Sequence, residues 1–184
     1  AAAKTDYAVA VFQRMADAVC ADADAPAAAV ARAAWPAYCD ALVGGLCDEN
    51  REVAKLALRA LDVLYDTADA RARSVLDGGA LLHDSTAAMA ASLCHRCHRP
   101  DWHDKAGGGA GVHYLASRLP RAWVRRMQTP FLRALLRILN DLPLHLSVET
   151  VEDAALTLHA LLSMCNSTRP REGEDAAAVE PFEV

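Results

Sequence analysis

The cluster Cys94-His95-Arg96-Cys97-His98 holds the residue types in this chain best suited to chemistry. It spells C-x-x-C-H, the pattern of covalent haem attachment, in which two thiols form thioethers to the vinyl groups and the next imidazole ligates iron. Such attachment calls for export to an oxidising compartment and often for a distal methionine, and the sequence offers neither a leader nor a Met in an obvious loop. Zinc is the better chemical match. Cys94, Cys97, His98 and His103 supply four thiolate or imidazole ligands within ten residues, the number a tetrahedral site needs. A structural zinc site usually draws its second ligand pair from across a loop, whereas these four crowd one helix end, where Cys94 shares a face with both Cys97 and His98. The expectation is a cysteine-containing helix with a polar, exposed end and no metal or cofactor. A small zinc-binding or redox module is its rival.

Three other constellations call for a reading. Gly107-Gly108-Gly109-Ala110-Gly111 lacks the Lys-Ser/Thr and the preceding strand of a phosphate-binding loop, and a dinucleotide fingerprint also needs a strand first. These glycines are expected to line one close helix–helix contact, at some cost in helix propensity. Arg118, Arg121, Arg125, Arg126, Arg133 and Arg137 form a basic run interrupted by Trp123 and Phe131. Such a stripe is a candidate surface for an acidic peptide or phosphates, set against an ordinary solvated face with the aromatics turned inward. His83-Asp84-Ser85 has the residue types of a catalytic triad, but sequence neighbours do not make triad geometry, and no G-x-S-x-G elbow accompanies them. A helix-capping turn explains them. His113, His145 and His159 stand alone, as surface or packing residues. Nothing here points to an enzyme.

The elements that carry these residues are read as helical. Hydrophobic residues make up 53% of the 184, yet only 5% are aromatic and alanine dominates, which favours closely packed helices. A net charge of −5 argues against a protein that coats nucleic acid, and no apolar run reaches membrane-spanning length. Six cysteines in 184 residues do not form a disulfide framework, so Cys20, Cys39, Cys47 and Cys165 read as small core residues. The chain begins AAAKTDY without an initiator Met, as expected of a piece of something longer or of a processed chain.

The first helix is expected over 5–20, with Val9, Phe12, Met15, Ala16 and Val19 on one side. The second covers 27–46 with an interruption at Trp35-Pro36. The third, capped by Asp48, covers 49–68, burying Val53, Ala57, Ala60, Leu61, Leu64 and Ala68 and exposing Arg51, Lys55, Arg59, Asp62, Asp66 and Asp69. Asp77-Gly78-Gly79 marks a turn, and Asp84 or Ser85 caps a fourth helix reaching His98. Pro100 opens a fifth helix over 101–118. Pro120 opens a sixth that Pro130 kinks or splits before 140. Ser147 caps a seventh, whose apolar set is Val148, Val151, Ala155, Leu158, Leu162 and Cys165. Residues 1–165 thus form a helical segment, and 166–184, with five acidic residues and two prolines, read as an acidic, disordered tail or linker. Pairing 27–68, 85–118 and 121–165 gives an all-α, HEAT-type solenoid fragment of about three antiparallel helix pairs, with a compact helical bundle as the alternative.

The residue order also resembles a HEAT-repeat portion of the transformation/transcription domain-associated protein (TRRAP) family of giant pseudokinases. The likeness covers 35–165. It begins at Trp35-Pro36, includes LCDENREVAKLALRALDVLYDTA, and is strongest over 93–142. Trp102, Lys105 and Gly107-Gly108 match a W-x-x-K-x-G-G step. Leu119-Pro120, Trp123-Val124, Gln128, Phe131 and Ala134-Leu135-Leu136 match the run that follows, and Leu93-Cys94 and Cys97 a cysteine-containing helix. His98 stands where the family has an aromatic residue and Arg133 where it has lysine. The resemblance implies a non-catalytic, nuclear scaffold segment of a transcription coactivator, part of a longer chain and a large complex. Its partners would be transcription activators and subunits of SAGA-type and NuA4-type histone acetyltransferase complexes, with no direct contact to nucleic acid or membrane. A generic α-solenoid adaptor for other protein partners is the alternative.

Overall fold

The structure, a computed structural model, describes residues 2–19, 26–72, 79–143 and 145–166. These form helices α1 (Ala2–Val19), α2 (Pro26–Leu46), α3 (Arg51–Ala72), α4 (Gly79–Cys97), α5 (Trp102–Arg118), α6 (Arg121–Arg126), α7 (Gln128–Asp141) and α8 (Val148–Asn166). No strand occurs among the described residues. The chain divides into two compact units, Ala1–Ser92 and Leu93–Val184, with the boundary inside α4.

In the first unit α1 and α2 both pack on α3. Ala57, Ala60, Leu61 and Leu64 are buried as their spacing predicts, while Arg51, Lys55, Arg59, Asp62, Asp66 and Asp69 are exposed. Val53, expected inside, is 37% exposed. Polar ties join the helices: Gln13 Nε2 donates to Thr67 Oγ1 at 3.0 Å, and the Tyr65 and Thr86 hydroxyls lie 2.9 Å apart. The cap of α3 is Asn50, not Asp48. Asn50 Oδ1 accepts the Glu52 amide at 3.0 Å, while the Asp48 carboxylate accepts the Asn50 amide at 2.8 Å, so Asp48 sets the turn and Asn50 closes the helix.

Pro36 does not interrupt α2. Trp35, Cys39, Leu42, Val43 and Leu46 form a buried stripe along it, and Pro36 is exposed on the outer side. Packing across the proline outweighs the missing hydrogen bond. Asp84 and Ser85 do not cap α4, which is already helical from Gly79; the expected turn at Asp77-Gly78 lies outside the described residues.

In the second unit α5 packs against α7 and α8, and α7 against α8. Pro130 does divide its helix, and the break falls at Met127 (φ −91°, ψ 4°). Proline lacks the N–H that would bond the Arg126 carbonyl, and its ring crowds that carbonyl, so the disruption appears one turn upstream. Phe131, Ala134, Leu135 and Ile138 are each fully buried, and the Trp123 and Phe131 rings stand 6.1 Å apart. Ser147 caps α8 as expected, its Oγ accepting the Thr150 amide at 3.3 Å.

The buried line of α8 is displaced from the expected one. Ala154, Thr157 and Leu161 are buried, Val151 and Leu158 are half-buried, and Val148, Ala155 and Leu162 are exposed. Thr157 can lie inside because its hydroxyl donates to the Asp153 carbonyl at 2.7 Å and meets His113 Nδ1 at 3.0 Å. The acidic segment 167–184 lies outside the described residues.

These faces make one direct prediction. Leu135→Ala, at a fully buried site, should cost about 2–5 kcal/mol in urea unfolding, while Arg59→Ala, at an exposed one, should change stability by less than about 0.5 kcal/mol. Equal losses would mean that the faces are misassigned.

Candidate functional site

The residues 93–142 build a joint between helices. At its centre α5 lies hard against the end of α4. A Cβ at Gly108 would stand 2.7 Å from Cys97 Sγ and 2.8 Å from the Leu93 carbonyl oxygen; one at Gly111 would meet the Leu93 side chain, and one at Gly109 Ile138 Cδ1 at 2.9 Å. The glycine run therefore serves helix contact, as its spacing suggests, with Gly108 letting one backbone lie against another.

Charges lock this joint. Lys105 is buried, and its Nζ donates to the Cys97 carbonyl at 3.1 Å, closing the C-terminus of α4; Asp141 Oδ2 is 3.8 Å away. Asp104, also buried, accepts from Arg96 Nη1 at 2.7 Å and pairs with Arg99 Nε at 3.1 Å. Cations thus gather at the negative end of α4, and the carboxylate sits in the first turn of α5, where the helix dipole favours it. Arg137 Nε completes the set on Asp141 at 2.5 Å. Asp104, Arg99 and Asp141 are the residues that a reading by charge type misses. The available signal was position: Asp104 and Lys105 fall on the stripe continued by Gly108, Val112 and Leu115, all buried.

The proposed metal ligands are not brought together. Cys94 and Cys97 are buried, Cys97 Sγ lying 3.4 Å from the Leu93 carbonyl, whereas His98 is exposed and His103 stacks on Trp102 with ring centres 3.7 Å apart. Among the described residues no three His, Cys, Asp or Glu side chains cluster in a way that could hold a metal ion. Of the four, Cys94 and Cys97 are buried, His103 is half-buried and His98 is exposed.

The arginine run is also only partly a surface. Arg118, Arg126, Arg133 and Arg137 are exposed, Arg125 is half-buried, and Arg121 is buried at 4% exposure. Leu136, 52% exposed, stands between Arg133 and Arg137 on α7. In the first unit, an apolar groove of about 380 Å³ between α1, α2 and α3 is lined by Phe12, Met15, Leu42 and Leu56, with Tyr38 its one ionisable side chain, so it offers no acid–base pair.

Burial sets the thiol chemistry. It pushes Cys94 from the ordinary 9.0 up to about 11, and Cys39, with a smaller push from Asp40, up to about 12; Tyr38 rises to about 12 by burial and by the neighbouring Cys39. Cys39 and Cys94 should therefore resist maleimide at pH 8 in the native chain and react once it is unfolded. Unfolded thiols ionise near pH 9 while the native ones stay protonated, so their contribution to stability is whole below pH 9 and falls as pH rises from 9 towards 12. A melting temperature flat from pH 9 to 11 would contradict these burials.

The Tra1 HEAT repeat ring region matches residues 17–183 of this chain. The transformation/transcription domain-associated protein of Homo sapiens is 32% identical over 141 residues, which is 75% of this chain and 4% of that protein. Its Danio rerio counterpart is 33% identical over 129 residues, 68% of this chain and 3% of the relative. The chain thus spans a few per cent of the length of these relatives. No solved structure matches it. Within the described residues no helix is long and apolar enough to cross a membrane. The W-x-x-K-x-G-G step is now accounted for physically, as the lysine cap and glycine contact of a helix joint. The chain belongs to the transformation/transcription domain-associated protein family, as an all-α segment of its HEAT-repeat ring.

Proposed function

We propose that this segment is a non-catalytic, nuclear scaffold element of a transcription coactivator, which helps to bring histone acetyltransferase complexes of the SAGA and NuA4 type to activators. The observation that supports this most is the match to the HEAT ring across residues 17–183. The interior fits such a role: charges at the α4–α5 joint are spent on helix capping, not aimed into a cleft. In a HEAT-type array each helix pair supports its neighbour, which suits a scaffold.

The partner face is the exposed part of the arginine run: Arg118, Arg126, Arg133 and Arg137, with Leu136 among them. Exposed guanidinium groups beside an apolar side chain, as Arg133 and Arg137 lie beside Leu136 on α7, suit a peptide that alternates carboxylates with bulky apolar residues. Replacing Arg126 and Arg133 together by Ala should weaken binding of an acidic activator peptide about tenfold, equivalent to ~1.4 kcal/mol, with the melting temperature unchanged. Unchanged binding, measured by fluorescence anisotropy at physiological salt, would remove this face from the reading. Affinity capture of the native protein should bring acetyltransferase activity with it.

A further inference from the structure

Thr129 stands within the arginine face. It is the second residue of α7, is exposed, and its hydroxyl bonds to no described residue. Pro130 follows it, also exposed, and this is the one Ser/Thr-Pro pair in the sequence. Arg126 lies three residues upstream in the last turn of α6, and Arg133 one turn downstream on the same side of α7. A hydroxyl followed directly by proline is what proline-directed protein kinases read. Such kinases take substrates in extended form, so the first turn of α7 must open, and it adjoins the break at Met127. Pro130 has no N–H to release, and the first hydrogen bond of α7, from the Phe131 amide to the Met127 carbonyl at 3.1 Å, is the first that opening must break.

We propose that Thr129 is a phosphorylation site that turns off the arginine face towards acidic partners; this rests on the assignment of that face above. The Thr129 Oγ1 attacks the γ-phosphorus of a magnesium-bound nucleoside triphosphate. The bond to the β,γ-bridging oxygen breaks, the hydroxyl proton passes to the kinase's base, and nucleoside diphosphate leaves. The new group carries a charge of about −1.5 to −2 one helical turn from Arg133. Arg133 then serves an internal phosphate, and an incoming carboxylate meets repulsion where it met a cation. The helix is not harmed, because a negative group in the first turn of α7 is favoured by the helix dipole.

The test treats the 184-residue chain with a proline-directed kinase and magnesium ATP, with Thr129→Ala as control. Mass spectrometry should place one phosphate on Thr129. The modified chain should bind the acidic peptide about tenfold more weakly, with no fall in melting temperature. A peptide of residues 120–140 that is modified while the folded chain is not would overturn the proposal, since the hydroxyl would then be inaccessible. If Arg126→Ala/Arg133→Ala weakens the peptide and phosphate does not, the regulation is wrong and the face stands. If neither has an effect, the face fails and the regulation with it.

Discussion

Gly108→Ala should destabilise the chain by about 2 kcal/mol, although alanine is the better helix former. The added methyl would lie 2.8 Å from the Leu93 carbonyl oxygen and 3.1 Å from the Cys97 amide nitrogen. Both are backbone atoms of a packed helix, so neither can swing aside as a side-chain tip would. Overpacking of this kind costs about 1–3 kcal/mol or more, against a return of about 1 kcal/mol from helix propensity. Gly44→Ala provides the opposite sign. It too is helical, but a Cβ there meets nothing within 4 Å, so the propensity gain of about 0.5–1 kcal/mol is realised in full. Urea unfolding of the two variants should move the midpoint in opposite directions. A stabilised Gly108→Ala would show that α4 and α5 do not approach as described.

Lys105→Met is expected to cost about 2–3 kcal/mol. The ammonium is buried, bonds the last carbonyl of α4 and faces Asp141. Methionine fills a similar volume, so the loss reports the polar contacts. Breaking a fully buried ion pair costs about 3–5 kcal/mol; here Asp141 is partly exposed and keeps Arg137, which places the effect at or below the lower end. Lys55→Met is the control. Its 2.8 Å pair with Glu52 is exposed on both sides, and such pairs contribute about 0–1 kcal/mol. Similar losses for the two lysines would mean that Lys105 is not capping α4.

Much of the fold could be read from the chain because periodicity is a direct imprint of burial. Leu61 and Leu64 repeat at helical spacing and are fully buried, and Arg59 and Asp62 on the other side are exposed. The glycine run was legible for a similar reason: glycine inside a helix is costly unless something needs the space. Three features were not legible. Trp35-Pro36 carries a strong local break signal, which tertiary packing on both sides overrides. The face of α8 depends on Thr157, a polar residue served by the Asp153 carbonyl one turn back and by His113 of α5, a partner that the local pattern does not show. Asp104 and Lys105 look like surface residues by type, and only their three-dimensional partners make burial tolerable.

The Cys/His cluster shows the same dependence on three dimensions. Cys94, Cys97, His98 and His103 are close in sequence, but the helix turns the cysteines to the core and leaves His98 outside. Arg121 likewise belongs to the basic run by sequence and to the interior by geometry. A one-dimensional cluster becomes a site only if the helix face agrees.

The most direct test of the scaffold assignment is the size of the native polypeptide, read by immunoblot of nuclear and cytosolic extracts with an antibody against residues 93–142. A very large nuclear band that co-fractionates with histone acetyltransferase activity is the predicted result. A band no larger than 184 residues, or one of any size confined to the cytosol, would contradict it.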